Sequence, residues 1–286
     1  MLLVVAGIVS VQLGAAFAKD LFDLAAPTTM TWLRLLTSAV LLWVVARPKI
    51  GGQGSTDWLV AAGFGVALGV MNWSIYQSFA RIPLGVAVTI EFIGPLGLAV
   101  LSSRRARDLL WVGLAAVGVG LLGLHRASLD ALGVTYAVLA GLAWAAYILL
   151  SQRTGARWQG LDGLAVASVV ATLAVTPLVL TGADAQVTGW DPGLGHARVW
   201  VLGALIGVLS SVIPYSCELI ALRSLKPAVF SILMSLEPAA AALAAVVVLH
   251  ELLALEQWVA IGCVVAASIG ATRSSRGPLS DIQPNV

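Results

Sequence analysis

Apolar residues run through this chain in long blocks, separated by short charged or Gly/Pro-rich breaks. A helix needs about 20 predominantly apolar residues to cross the hydrocarbon of a bilayer. Reading from break to break predicts ten such spans: Leu2 to Ala18, Thr28 to Ala46, Trp58 to Ala80, Leu84 to Leu101, Leu109 to Leu124, Leu132 to Leu150, Leu164 to Leu180, Val199 to Leu222, Ala228 to Leu249 and Trp258 to Ala271. The last is short and can start as early as Leu252. The longest break, Thr181 to Arg198, is expected to be an external loop, and the tail over 276–286 to be a disordered cytoplasmic segment.

Two of these blocks resemble each other. Ile82 to Leu101 and Leu225 to Ala244 lie half a chain length apart, and each opens beside a proline and carries a glutamate shortly before a central proline, Pro95 or Pro238. Asp108 and Glu251 follow the central prolines at equal spacing, and each is expected to cap the helix it precedes. An internal repeat follows, with five spans in 1–125 and five in 131–275. Because five is odd, the second copy enters the membrane from the opposite side. The fold expected is therefore an all-α integral membrane protein, ten transmembrane helices in two inverted five-helix repeats, a plan that many secondary transporters use.

Composition agrees. The chain is 59% hydrophobic and 10% charged, with a mean hydropathy of +0.97, against about 25% charged residues in soluble domains. The net charge of +2 is no nucleic-acid signal, because the basic residues sit in short connections and report topology. With the N-terminus inside, the inner connections hold Arg47, Lys49, Arg104, Arg105, Arg107, Arg153, Arg157, Arg223, Lys226, Arg273 and Arg276, and the outer ones only Lys19, Arg81, Arg126 and Arg198. That bias places both termini in the cytoplasm. The run ending Ala16-Phe17-Ala18 resembles a cleavage site, but with no basic region before it the first block is expected to be a retained helix. The missing polar arm ahead of it is consistent with a start further upstream.

Ionisable residues inside spans mark where a membrane protein works. They are Arg34, Glu91, Glu218 and Glu237. At 1.5 Å per residue, Arg34 and Glu91 lie about 9 and 10 Å below the outer ends of their spans, so they can pair; alternatively Arg34 snorkels outward or merely neutralises the acid. Glu237 falls near the midplane. Pro95 and Pro238 lack an N–H, so each frees the carbonyl four residues earlier, that of Glu91 or Met234, and a helix broken in this way can meet a cation or ammonium. Glu218, close to Arg223 and Lys226, reads as an interfacial ion pair. Asn72 with Tyr76, Ser211 with Tyr215, and Gln12 with Lys19 share helix faces, as do Tyr136, Ala140, Ala143 and Tyr147.

Other chemistry is not supported. The G-x-G-x-x-G match over 118–123 lies at the end of an apolar span with no strand before it, and reads as helix packing. Gly65 with Gly69 and Gly203 with Gly207 have the spacing that lets helices approach closely. His125, His196 and His250 are scattered, no metal motif is present, and Cys217 and Cys263 sit within spans, so neither a metal, a cofactor nor a disulfide is expected. Every aspartate lies in a break or at a span end, which removes the membrane-embedded pair of an aspartyl protease.

Three segments carry a resemblance to a known family. They are Gly14-Ala15-Ala16-Phe17-Ala18-Lys19 with Leu21-Phe22; Arg81-Ile82-Pro83-Leu84-Gly85-Val86-Ala87-Val88 through Glu91-Phe92-Ile93-Gly94-Pro95-Leu96 to Ser102-Ser103-Arg104-Arg105; and Ile213-Pro214-Tyr215-Ser216 through Glu218, followed by Leu233-Met234-Ser235-Leu236-Glu237-Pro238-Ala239. The chain resembles the EamA branch of the drug/metabolite transporter superfamily, and within it the threonine/homoserine exporter type. The resemblance implies an inner-membrane efflux protein that exports small polar metabolites against proton entry. It also implies a cavity lined by the first, third, fourth, sixth, eighth and ninth spans, on which Asn72, Tyr76, Glu91, Tyr147, Tyr215 and Glu237 lie. Relatives carry a glutamate after the fourth helix of each repeat; Glu251 fits and Asp108 departs.

The expected function is proton-coupled export of a small amino acid, with Glu91 and Arg34 on the substrate and Glu237 with Glu91 on the proton. Asn72, Tyr76, Tyr147 and Tyr215 are further candidates for the substrate. Export of another metabolite or a drug is the alternative. An intramembrane enzyme would need a nucleophile and base at depth, and a scaffold would leave the buried charges unexplained.

Overall fold

Within a bilayer the backbone finds no water, so each apolar block satisfies its own hydrogen bonds by coiling into a helix. In a computed structural model, which describes residues 2–101, 108–124, 130–182, 184, 191–214, 217 and 233–274, the helices are α1 (Leu2–Asp20), α2 (Pro27–Ala46), α3 (Ser55–Phe79), α4 (Leu84–Glu91), α5 (Ile93–Leu101), α6 (Asp108–Leu124), α7 (Ala131–Gly155), α8 (Asp162–Thr181), α9 (Ala197–Gly207), α10 (Glu237–Ala244) and α11 (Leu255–Ser274). A 3-10 turn, Pro192–Gly195, precedes α9, and π-helical turns at Val208–Val212 and Ala245–Leu249 prolong α9 and α10. No strand occurs among the described residues. Helices α1, α2, α3, α7 and α8 are each long and apolar enough to cross a membrane. The protein is an all-α integral membrane protein.

The predicted spans Thr28 to Ala46 and Leu109 to Leu124 match α2 and α6 to within one residue, whereas α11 starts at Leu255, ahead of the predicted Trp258. The fourth span divides at Phe92 into α4 and α5. Tyr215, Glu218 and the tail over 276–286 lie outside the described residues.

Burial is inverted relative to a water-soluble domain. Leu59, Leu101, Leu142, Leu173 and Val247 face outward, while Gln12, Thr31, Asn72, Gln77, Glu91 and Glu237 are buried. Outward apolar side chains meet lipid, and the polar ones face the interior, away from it. Helix α3 packs along α7 and α8. At the α8 crossing, a methyl group on Gly65 or Gly69 would lie 2.5 or 3.1 Å from the carbonyl oxygens of Ala167 and Ala171, so this glycine pair sets how closely the two backbones approach.

Polar contacts between connections sort the chain into two faces. On one face, Lys19 pairs with Glu251, Arg81 with Asp130 at 3.3 Å, and the Thr28 and Ala26 amides donate to Asp184 and Asp191. On the other, Arg157 pairs with Asp57 at 2.7 Å, and the Lys49 amide donates to Asp162. Helix α1 therefore ends on the Lys19 face, and α7 begins there. The two helices cross in opposite directions.

Candidate functional site

The helix break at Phe92 is built by packing. Pro95 stands within the first turn of α5, where its missing N–H is not needed, and Pro238 holds the same place in α10. Each helix is therefore interrupted two or three residues before its proline, at Phe92 and at Ser235–Leu236. The Phe92 ring meets Trp144 of α7 edge-on, with centroids 5.4 Å apart. The carbonyl of Glu91 that Pro95 frees is directed at Gly141 of α7, where an added methyl group would lie 2.6 Å from the oxygen. Helix packing occupies that carbonyl, so the break presents the Glu91 side chain. Gly94 lies against Gly141 from the next turn, with no room for a side chain.

Between these elements is a cavity of about 200 Å³. Its wall is made by Val11, Gln12 and Ala15 of α1, Arg34 of α2, Met71, Asn72, Ile75 and Phe79 of α3, Val88 and Glu91 of α4, Trp144 and Tyr147 of α7, Ser210 and Pro214 of the α9 segment, and Met234 with Glu237. One cavity thus gathers Arg34, Asn72, Glu91, Tyr147 and Glu237 from five separate spans. Drug-sized sites run to roughly 300–1,000 Å³, so this volume suits a small metabolite.

Glu91 is the last residue of α4 and Glu237 the first of α10. Both are buried. Arg34 lies close enough to bear on Glu91 electrostatically, yet no direct ion pair joins them among the described residues. The guanidinium instead donates from Nη2 to the Ser210 carbonyl at 3.3 Å and lies over the Tyr76 ring, 5.6 Å from its centre. Tyr76 does not line the cavity. It is fully buried beneath Arg34, flanked by Phe22 and Phe79, and its hydroxyl has no partner among the described residues. The Asn72 side-chain amide donates to Leu68 O at 2.8 Å, which leaves its carbonyl oxygen for the cavity.

A model of the EamA-like transporter family matches residues 131–273. The threonine/homoserine exporter RhtA of Escherichia coli K12 is 38% identical over 270 residues, which span 93% of this chain and 89% of that protein. The protein of the same name from Salmonella typhimurium LT2 is 38% identical over 271 residues, with the same coverage. The chain belongs to the EamA-like transporter family. A solved crystal structure shares the fold, with a TM-score of 0.60 at 17% identity over 96% of this chain and 99% of the other.

In this EamA-like transporter, Glu251 does not cap the helix that it precedes. Its carboxylate accepts from the Leu84 amide at 3.0 Å, at the start of α4, and pairs with Lys19, whose ammonium also donates to Ile82 O. Gln257 takes the expected capping role, accepting from the Ala254 amide at the head of α11. Asp184 closes a second cluster, accepting from both the amide and hydroxyl of Thr28 and from the Gln77 amide, while Trp73 donates to Thr28 Oγ1. Arg34 was expected on the cavity, but its hold on Ser210 was not foreseen. Ser210 carried no signal, since a serine in an apolar span is ordinary, and Gln12 showed only its place on a helix face.

Proposed function

We propose that the protein exports a small amino acid of the threonine or homoserine kind, coupled to proton entry, through the cavity that joins Arg34, Glu91 and Glu237. The observation that carries this reading is one guanidinium and two carboxylates on an otherwise largely apolar wall. A free amino acid presents a carboxylate and an ammonium a few ångströms apart. Arg34 suits the carboxylate, because its fork supports bidentate binding. Glu91 suits the ammonium: the end of α4 adds the negative end of a helix dipole to the acid, and both favour a cation. Glu237, buried at the start of α10, is the candidate proton site. A bare charge in such a wall is costly, so each acid alternates between a proton and a cationic partner.

The relatives named as threonine/homoserine exporters support this substrate class. The opposite crossing directions of α1 and α7 support two inverted five-helix units, 1–125 and 131–275. The basic residues Arg47, Lys49, Arg153 and Arg157 near the Arg157 face support a multi-pass protein of the inner membrane with that face and both termini in the cytoplasm.

The test is counterflow of labelled threonine and homoserine in proteoliposomes, with and without a pH gradient. Glu237→Gln is expected to lose the response to the gradient, and Glu91→Gln to lose transport. If both variants transport as the parent protein does, the mechanism is wrong.

A further inference from the structure

We propose that Gln12 and Ser210 form a subsite that reads the side-chain hydroxyl of the transported amino acid, the group that threonine and homoserine carry and their common deoxy analogue, 2-aminobutyrate, lacks. This rests on the reading of the cavity as an amino-acid site.

Two orphaned polar atoms carry the inference. Gln12 is 4% exposed and Ser210 2% exposed, both line the cavity, and neither Gln12 Oε1 nor Ser210 Oγ has a hydrogen-bond partner among the described residues. Hydroxyls elsewhere in these helices are satisfied locally: Thr31 donates to Pro27 O, Ser38 to Arg34 O and Thr89 to Gly85 O. Ser74 Oγ and Tyr76 Oη are also unpartnered, but neither faces the cavity. A buried acceptor without a donor destabilises the empty protein, so its placement on a binding wall points to a donor that arrives with the ligand.

The backbone explains how the pair is held. On α1, Ser10 donates to Leu209 O and Gly14 packs on Leu209 and on the Ser210 side chain, whose Oγ rests against it, so this side of the helix is committed to the α9 segment. Val11, Gln12 and Ala15 occupy the neighbouring side and turn to the cavity. Ser210 lies in the π-helical turn Val208–Val212, a kind of irregularity that recurs at functional sites, and its carbonyl is the one that Arg34 grips. A substrate carboxylate on Arg34 therefore sets the rest of the molecule beside Ser210. The substrate hydroxyl would donate to Gln12 Oε1 and accept from Ser210 Oγ once that hydroxyl turns from Gly14 toward the cavity, whereas Val11, Ala15 and Ile75 offer no hydrogen bond to either molecule.

The experiment uses the full chain in proteoliposomes, with labelled-threonine counterflow competed by unlabelled threonine, homoserine and 2-aminobutyrate. In the parent protein 2-aminobutyrate should compete at least about tenfold more weakly than threonine, as a site built to bond a hydroxyl requires. Gln12→Leu should remove most of that ratio by weakening threonine, leaving the 2-aminobutyrate value unchanged, and Ser210→Ala should narrow it. If Gln12→Leu does not reach the membrane, Ser210→Ala decides by the same ratio. Threonine and 2-aminobutyrate competing equally in the parent, or variants that keep its ratio, would overturn the subsite alone. No counterflow of any of these amino acids would overturn the exporter reading and the subsite with it.

Discussion

Lys19 and Glu251, near opposite ends of the chain, meet as an ion pair with Nζ and Oε1 2.5 Å apart. Each also serves the backbone at the head of α4, Lys19 through Ile82 O and Glu251 through the Leu84 amide. Glu251→Gln should therefore lower stability by about 1–3 kcal/mol, seen as a drop of several degrees in thermal unfolding. Exchanging the two charges should not restore it, because a lysine at 251 cannot accept from Leu84 and a glutamate at 19 cannot donate to Ile82. Full rescue by the exchange would show that charge attraction alone holds this junction.

Arg34→Lys keeps the charge but loses the planar fork that reaches Ser210 O while covering Tyr76. Losing one charge-assisted bond is worth about 1.5–3 kcal/mol, so the half-saturating threonine concentration should rise at least about tenfold. Arg34→Gln should raise it further. Concentration-dependent counterflow gives both values.

Tyr76 separates ring from hydroxyl. Because its Oη is buried without a partner among the described residues, Tyr76→Phe should be neutral or slightly stabilising and leave transport intact. Tyr76→Ala should cost about 3–5 kcal/mol through the cavity it leaves. Loss of transport in Tyr76→Phe with normal stability would mean that the hydroxyl meets the substrate after all.

At Gly141 even one carbon is too many. A methyl group there would press on the Glu91 carbonyl, so Gly141→Ala should cost about 1–3 kcal/mol and impair transport by shifting Glu91. An alanine variant with parental melting and transport would contradict the close crossing.

Asp130 gives an acid limb on the Lys19 face. The Leu132 amide, and after it Arg81, hold its carboxyl below the usual carboxylate range. Its folded-state pKa is depressed, so its contribution is fully present above the unfolded value of about 4 and fades as pH falls through the lower folded value. Asp130→Asn should remove that part of the acid dependence and leave stability near neutrality with little change in slope. Unfolding followed against pH in both proteins checks it.

The spans were legible because lipid demands unbroken apolar runs, and Arg34, Glu91 and Glu237 because charge at depth is rare. The break at Phe92 was readable only as the neighbourhood of Pro95; its position depends on Gly141 and Trp144, which lie far along the chain on α7. For the same reason Glu251 was assigned to the helix after it, when its partners are Lys19 and Leu84. Asp184 and Asp191 read as loop residues, since nothing local says that they close the start of α2. Pairings across such distances leave no periodic trace in a single sequence.

The crossing of Gly94 and Gly141 also limits where an acid can stand beside each proline. Laying Pro95 on Pro238 puts Gly94 opposite Glu237 and Met234 opposite Glu91. An acid directly before the proline is open to the second half and closed to the first, where the neighbouring backbone fills the space of any side chain. The first half holds its acid one helical turn earlier. At this pair of positions the backbone of a neighbouring helix, and not the local sequence, decides how near to its proline an acid can stand.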